Sequence, residues 1–413
     1  MKLFKGIKFN RQELAGSIGD IGTDFPLIVA MIIAAGLHTP SVLIVFGLMQ
    51  ILTGLIYKIP MPVQPLKAMA TLVIAQQIGG NILLGAGLSI GILMFVLSVT
   101  GLLTKISELV PKAVIRGIQL GLGINLSLLA FQKYIPNLGI NGFILALIAF
   151  IIIIAFIDNK KYPTSIIVLL LGALYILFFD NTSNIFSNAI GINLPRFSLP
   201  TIEDVTKGFL LLALPQIPLS IGNSIIATKQ VAHDLFPERP PLTIKKIGLT
   251  YSFMNLLIPF LSGIPSCHGS GGMIGHYTFG GRTGGSVIIY GLFYIFIGVI
   301  FGNAFDGVVK IFPLPILGVI LMFEGFALML FVRDLLNQQK DFVIAILVGI
   351  TAAGLPYGFV ISIIIGTVLY YLPVELKTFI NIGNSKAVKT KPVVIEWNSL
   401  ITLIVFTIMF VYL

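Results

Sequence analysis

Cysteine, charge and polar stretches are all scarce in this chain, and each shortage closes off a class of protein. The single cysteine, Cys267, rules out an intrachain disulfide and any cysteine-built metal cluster. Charged residues make up only 10% of the chain and hydrophobic residues 56%, with a mean hydropathy of +1.02. Those values lie far from a soluble domain. The longest polar stretches, about 181–205 and 373–399, are too short for a folded regulatory module. The basic segment Met1–Asn10 lacks an apolar core followed by a small-residue cleavage site, so no removable signal peptide is expected.

Apolar runs recur from end to end, many close to the ~20 residues that cross about 30 Å of hydrocarbon. Spans are expected near 14–36, 40–58, 81–104, 111–132, 142–157, 163–180, 206–228, 247–262, 284–303, 313–332, 341–355 and 357–372. Half-helices at about 65–78 and 269–281 bring the total to fourteen elements, seven plus seven. The expected class is an all-α polytopic membrane protein. Its first repeat would occupy 1–180 and its second 206–372, with a polar tail and C-terminal hydrophobic segment at 373–413. The apolar run Leu400–Leu413 would be either an extra span or a docked helix.

The net charge of +10 calls for no nucleic acid, because of where the basic residues fall. With the N-terminus inside, Lys2, Lys5, Lys8, Arg11, Lys105, Lys112, Arg116, Lys160, Lys161, Lys229, Arg239, Lys245 and Lys246 are among those on the cytoplasmic side. Only Lys133, Arg196, Lys207 and Lys310 lie outside. That asymmetry is the positive-inside bias. It predicts an integral protein of the plasma membrane, embedded in the lipid bilayer with a cytoplasmic N-terminus.

Two short segments, Ile59–Ala70 and Ile264–Gly275, align without a gap at an offset of 205 residues. Each opens with Ile-Pro, breaks the apolar pattern with Pro, Gly and polar residues, and resumes as an apolar helix. Pro111–Gly121 likewise matches Pro315–Gly325 at offset 204. An odd number of elements per half makes the second copy enter from the opposite side, so the repeat is inverted. Paired interrupted helices are the sequence mark of a transporter's binding site.

An interrupted helix leaves free N–H groups at its new N-terminus, tolerable in a membrane only when buried or facing a cavity. Each such end carries roughly half a positive charge and attracts anions. Two facing ends plus the Lys67 ammonium would supply about +2, matching a dianion. Lys67 either attracts this substrate or pairs with a carboxylate such as Asp20. Gln64 can donate to an oxyanion or satisfy broken backbone. Ser266, Gly269, Ser270, Gly271 and Gly272 offer hydroxyls and close N–H groups, or else mark tight helix packing. His268 is a donor, a pH sensor or a structural histidine; Cys267 reads as a packing residue. Gln216 or Asn223 in the eighth element would line the cavity. A dianion entering a negative interior climbs about 4.6 kcal/mol per 100 mV. Asp20 is the first candidate to hold a coupling proton or sodium ion, with Thr23, Asp24 and Glu324 behind it.

Gly19–Thr23, Met61–Lys67, Leu214–Leu219 with Asn223 and Ser224, and Pro265–Gly272 through Phe279–Gly284 resemble the molybdate transporter family, a branch of the sulfate permease superfamily. The resemblance covers nearly the whole chain. It implies a seven-plus-seven inverted repeat with half-helices at the midplane, a core and a gate domain, no cofactor, and uptake of a small inorganic oxyanion, molybdate or sulfate. Many sulfate permeases carry a soluble C-terminal domain that this chain lacks. A nucleobase symporter of the same fold would want a carboxylate on the second half-helix or its neighbour, and Gln216–Thr228 and Ser266–Thr278 have none. An anion channel of related fold and a homodimeric assembly are left open. No oriented acid–base partner supports an enzyme.

Overall fold

A computed structural model describes residues 6–109, 111–156, 164–179 and 190–372; the tail 373–413, with the run Leu400–Leu413, lies outside the described residues. The first repeat opens with α1 (Arg11–Ser17) and α2 (Ile21–Ala35). The apolar pattern merges these into one span, but the chain breaks between them at Ile18–Asp20. Asn10 caps α1 through the Glu13 N–H, and Gly36, in the left-handed region at φ 63°, ends α2. There follow α3 (Thr39–Tyr57), strand β1 (Val63–Pro65), half-helix α4 (Lys67–Gln76), α5 (Gly80–Thr100), α6 (Leu102–Leu109), α7 (Lys112–Leu129), α8 (Gly139–Phe156) and α9 (Thr164–Phe179).

The second repeat begins with the long helix α10 (Ile202–Leu235). It carries π-helical turns at Phe209–Ala213 and Ser220–Ala227, flanking the proline-bearing segment Leu214–Leu219. Prolines remove backbone donors, and the wider turns absorb the mismatch. Then come α11 (Ile244–Leu257), strand β2 (Ser266–His268), half-helix α12 (Ser270–Thr278), α13 (Gly285–Ile300), α14 (Gly302–Ile311), α15 (Leu314–Leu330), α16 (Gln339–Gly354) and α17 (Gly358–Tyr371).

The two halves have the same order of elements, the seven-plus-seven inverted repeat. The short helices α6 and α14 are mates that the apolar pattern does not announce, since it runs the first into a span and leaves the second as a connector. Both are amphipathic, and α14 turns 90° away from α13, as suits helices lying along an interface rather than crossing.

Packing obeys the same symmetry. Helix α3 packs along α13, and its mate α11 packs along α5; α7 packs on α15 and α16, and α15 on α8. The contacts are close because small residues sit at the crossings. Gly47 meets the Gly291 backbone, and Gly123 meets Gly325 where α7 crosses α15, with no room for a Cβ. On α8 the side chains Ile140, Phe143, Ile144, Leu147, Ile151 and Ile154 are exposed at helical spacing, an apolar stripe suited to lipid.

The offsets inferred from the alignment are each high by two. The helix N-caps are Pro111 and Pro313, not Pro315. Likewise β1 and α4 correspond to β2 and α12 at an offset of 203. Helix α3 and its mate explain the slip, as described next.

Candidate functional site

Strands β1 and β2 pair antiparallel, with Val63 opposite His268, Gln64 opposite Cys267 and Pro65 opposite Ser266. The two repeats therefore meet through backbone hydrogen bonds, and α4 and α12 leave this ribbon in opposite directions. Both helix N-termini consequently lie at the centre of the molecule.

Each strand is held by one amide side chain. Gln50 of α3 donates to the Val63 carbonyl at 2.8 Å and accepts from its N–H at 3.0 Å. Asn255 of α11 brackets Ser266 in the same way, at 2.6 and 2.9 Å. Gln50 and Asn255 are 205 residues apart, yet the strands they hold are 203 apart. The first repeat has two extra residues between amide and strand, stabilised where Thr53 donates to the Met61 carbonyl at 2.8 Å. Sequence reasoning missed both amides; a lone amide at matching places in two apolar spans was the available signal.

The half-helix ends are not alike. At α4, the Ala68 and Met69 N–H groups donate to Gln216 Oε1 at 2.9 and 3.3 Å. Gln216 in turn donates to Ser220, which bonds Tyr251. Gln216 is thus a buried cap, not a cavity-lining group. At α12 the N-cap is Gly269, which brings no capping side chain of its own. Asp20 stands against Gly272, so that a Cβ there would strike its carboxylate, and Gly269 is similarly roofed by Gln64. Beside Gly271 there is open space.

Gln64 donates to both Asp20 oxygens at 2.8 Å, which occupies the amide donor expected for an anion. Asp20 and Asp24, one helical turn apart, are 2% and 1% exposed, and Asp24 Oδ2 has no protein partner among the described residues. Thr23 lies in α2 between them, its side chain outside the described residues. Lys67 pairs with Glu324 of α15 at 3.4 Å rather than with Asp20, though both aspartates act on it electrostatically. Its side chain is 34% exposed and that of Glu324 17%. A charged pair within membrane spans faces the bundle interior or a water-filled cavity.

Two expected site residues are committed to the fold. Ser266 donates to the Ile264 carbonyl. His268 bonds the Thr250 hydroxyl at 2.7 Å and meets the Tyr57 ring edge-on. Both are fully buried. Ser270 and Asn223 are part-exposed. Cys267, in β2 opposite Gln64, is buried. His276 is buried edge-on to Tyr290, while Arg282 stacks on Tyr277. Glu13, unforeseen, caps α13 by accepting from Thr283 and Ser286 N–H groups.

Of the expected site residues, Lys67, Glu324, Asp20, Asp24, Ser270, Gly271 and Asn223 are those not committed to holding the strands or capping a helix. Among the described residues no cluster fit to hold a metal ion occurs.

A family model described as "Molybdate transporter of MFS superfamily" matches residues 12–126 and 208–328. Molybdate transporter 2 of Arabidopsis thaliana is 30% identical over 417 residues, covering 89% of this chain and 88% of that protein. Molybdate transporter 1 of the same plant is 29% identical, covering 87% of each. Among solved structures, the transmembrane domain of a cyanobacterium bicarbonate transporter, BicA, superposes with a TM-score of 0.63 at 19% identity, over 87% of this chain and 97% of that one. Murine Slc26a9, an anion transporter in the inward-facing state, gives 0.64 at 12%, over 88% and 68%. The fold is that of these two structures, with seven elements per repeat; the six-helix halves that the label MFS denotes are absent among the described residues.

Proposed function

The chain belongs to the molybdate transporter family, whose members are membrane transporters and not enzymes, and from that premise we propose that it imports molybdate by alternating access, coupled to a cation. The observation that carries this reading is the α12 N-terminus, whose N-cap Gly269 brings no side chain, with open space beside Gly271. Such an end offers N–H groups and partial positive charge to an oxyanion, and Ser270 adds a hydroxyl.

The charges around it argue for coupling. Three carboxyl groups, Asp20, Asp24 and Glu324, surround one ammonium, Lys67, and the two half-helix ends add only about one positive charge. A dianion is repelled while all three are ionised. It is accepted once protons, or a cation, neutralise the carboxylates. We assign Asp20 and Asp24 to that load, and Glu324 to releasing Lys67 so that the ammonium can face the oxyanion. Cation entry also offsets the electrical climb of a dianion. In this reading residues 1–180 and 206–372 are the two repeats, the N-terminus is cytoplasmic, and the core carrying the half-helices rocks against the gate carrying Glu324.

The test is uptake of labelled molybdate into proteoliposomes at imposed pH and potential, with sulfate, tungstate and uracil as competitors. Block by tungstate but not by excess sulfate, with uptake rising as external pH falls, is the expected result. Equal block by sulfate would make the chain a general oxyanion carrier. Block by uracil alone would overturn the charge argument.

A further inference from the structure

A cavity of about 210 Å³ lies where the ends of α3 and α10 meet the start of α11. Tyr57 and Lys58 at the end of α3, His233 and Phe236 at the end of α10, the connector Arg239-Pro240-Pro241-Leu242, and Lys246 of α11 form its walls. Three permanent cations converge there, and no carboxylate lines it. The nearest acids lie outside: Glu238 touches Arg239 only at 4.0 Å, and Asp234 faces His233 at 3.6 Å.

Topology alone explains basic residues on this face, but not their convergence on one hollow. Like charges repel when clustered, and the chain takes on that cost in a rigid frame. Two prolines stiffen one wall. Lys58 sits in the left-handed region at φ 57°, a position that glycine fills most cheaply. The Lys246 ammonium lies 4.9 Å from the centre of the Tyr57 ring, which holds it at the mouth.

We propose that this cavity binds a tetrahedral oxyanion group of the phosphate class, held by Lys58, Arg239 and Lys246. The group arrives either as a free anion or as the headgroup of an acidic lipid in the adjoining leaflet. The site also reaches the transport machinery: Tyr57 bonds Thr250 at 2.5 Å, and Thr250 bonds His268 of β2 at 2.7 Å.

The experiment is thermal unfolding of the full-length protein carrying Lys67→Ala, which weakens the central site, with the substitutions at Lys58 and Lys246 separating binding in this cavity from binding at the half-helix ends. Inorganic phosphate is titrated in detergent against chloride at equal ionic strength. In parallel, the protein is placed in phosphatidylcholine vesicles with and without phosphatidic acid. Stabilisation by phosphate supports the free anion, and stabilisation by phosphatidic acid alone supports the headgroup. In either case adding Lys58→Gln and Lys246→Gln should weaken the effect about 25-fold, roughly fivefold per lysine. No stabilisation by either ligand, or stabilisation that survives the two added substitutions, would overturn the proposal. Melting in ligand-free buffer shows separately that the variant is folded.

Discussion

Lys67 faces a choice of partners, and single substitutions can force it. In Glu324→Gln the ammonium loses its ion-pair partner, so oxyanion uptake should half-saturate at lower concentration and respond less to pH. Lys67→Ala should raise the half-saturation concentration about fivefold, a modest factor because the Lys67 side chain is a third open to water. Initial uptake rates over a pH series measure both. Neighbouring glycines should part company in the same assay. Gly272→Ala drives a methyl into the Asp20 carboxylate and should lose both activity and thermal stability. Gly271→Ala meets nothing; it should melt like the parent but bind the anion more weakly. Which of two adjacent glycines was free could not be read from Ser270-Gly-Gly272, because the difference is made by Asp20, about 250 residues away in sequence.

Short strands and their brackets govern the element scale. Removing Gln50 or Asn255 strands a buried carbonyl and N–H of the ribbon, at about 1–3 kcal/mol each. Gln50→Ala and Asn255→Ala should therefore lower the melting temperature in detergent by similar amounts, a consequence of their equivalent positions. The half-helices were legible in the chain because Pro60, Pro62, Pro65 and Pro265, with the glycines after His268, interrupt an apolar run. The strands before them were not, since three residues leave no alternation to detect. The eighth element's polar residues were visible, but their direction was not. Gln216 turns to the backbone of α4, because an uncapped buried helix end costs more than an unlined cavity.

At the scale of the whole molecule, the Lys67–Glu324 pair joins half-helix α4 to α15, the core to the gate in the proposed reading. If rocking separates them, fixing that distance should stop transport. In a Cys267→Ser background, Lys67→Cys and Glu324→Cys joined by a short bifunctional thiol reagent should arrest uptake, while either single variant treated alike should keep its own rate. The count of seven plus seven elements was readable from apolar runs and from the distribution of lysine and arginine. The short helices α6 and α14 were not, because amphipathic helices carry the mixed composition of loops. The ribbon of β1 and β2 has a thermodynamic consequence of its own. Backbone bonds join the starts of both half-helices, so on the proposed reading an anion seated there is held by one unit built from both repeats. In a coupled carrier the plateau of accumulation is set by the driving gradients and the stoichiometry, not by how firmly the site is held. A substitution that loosens the seat should slow filling yet leave the final inside-to-outside ratio where it was.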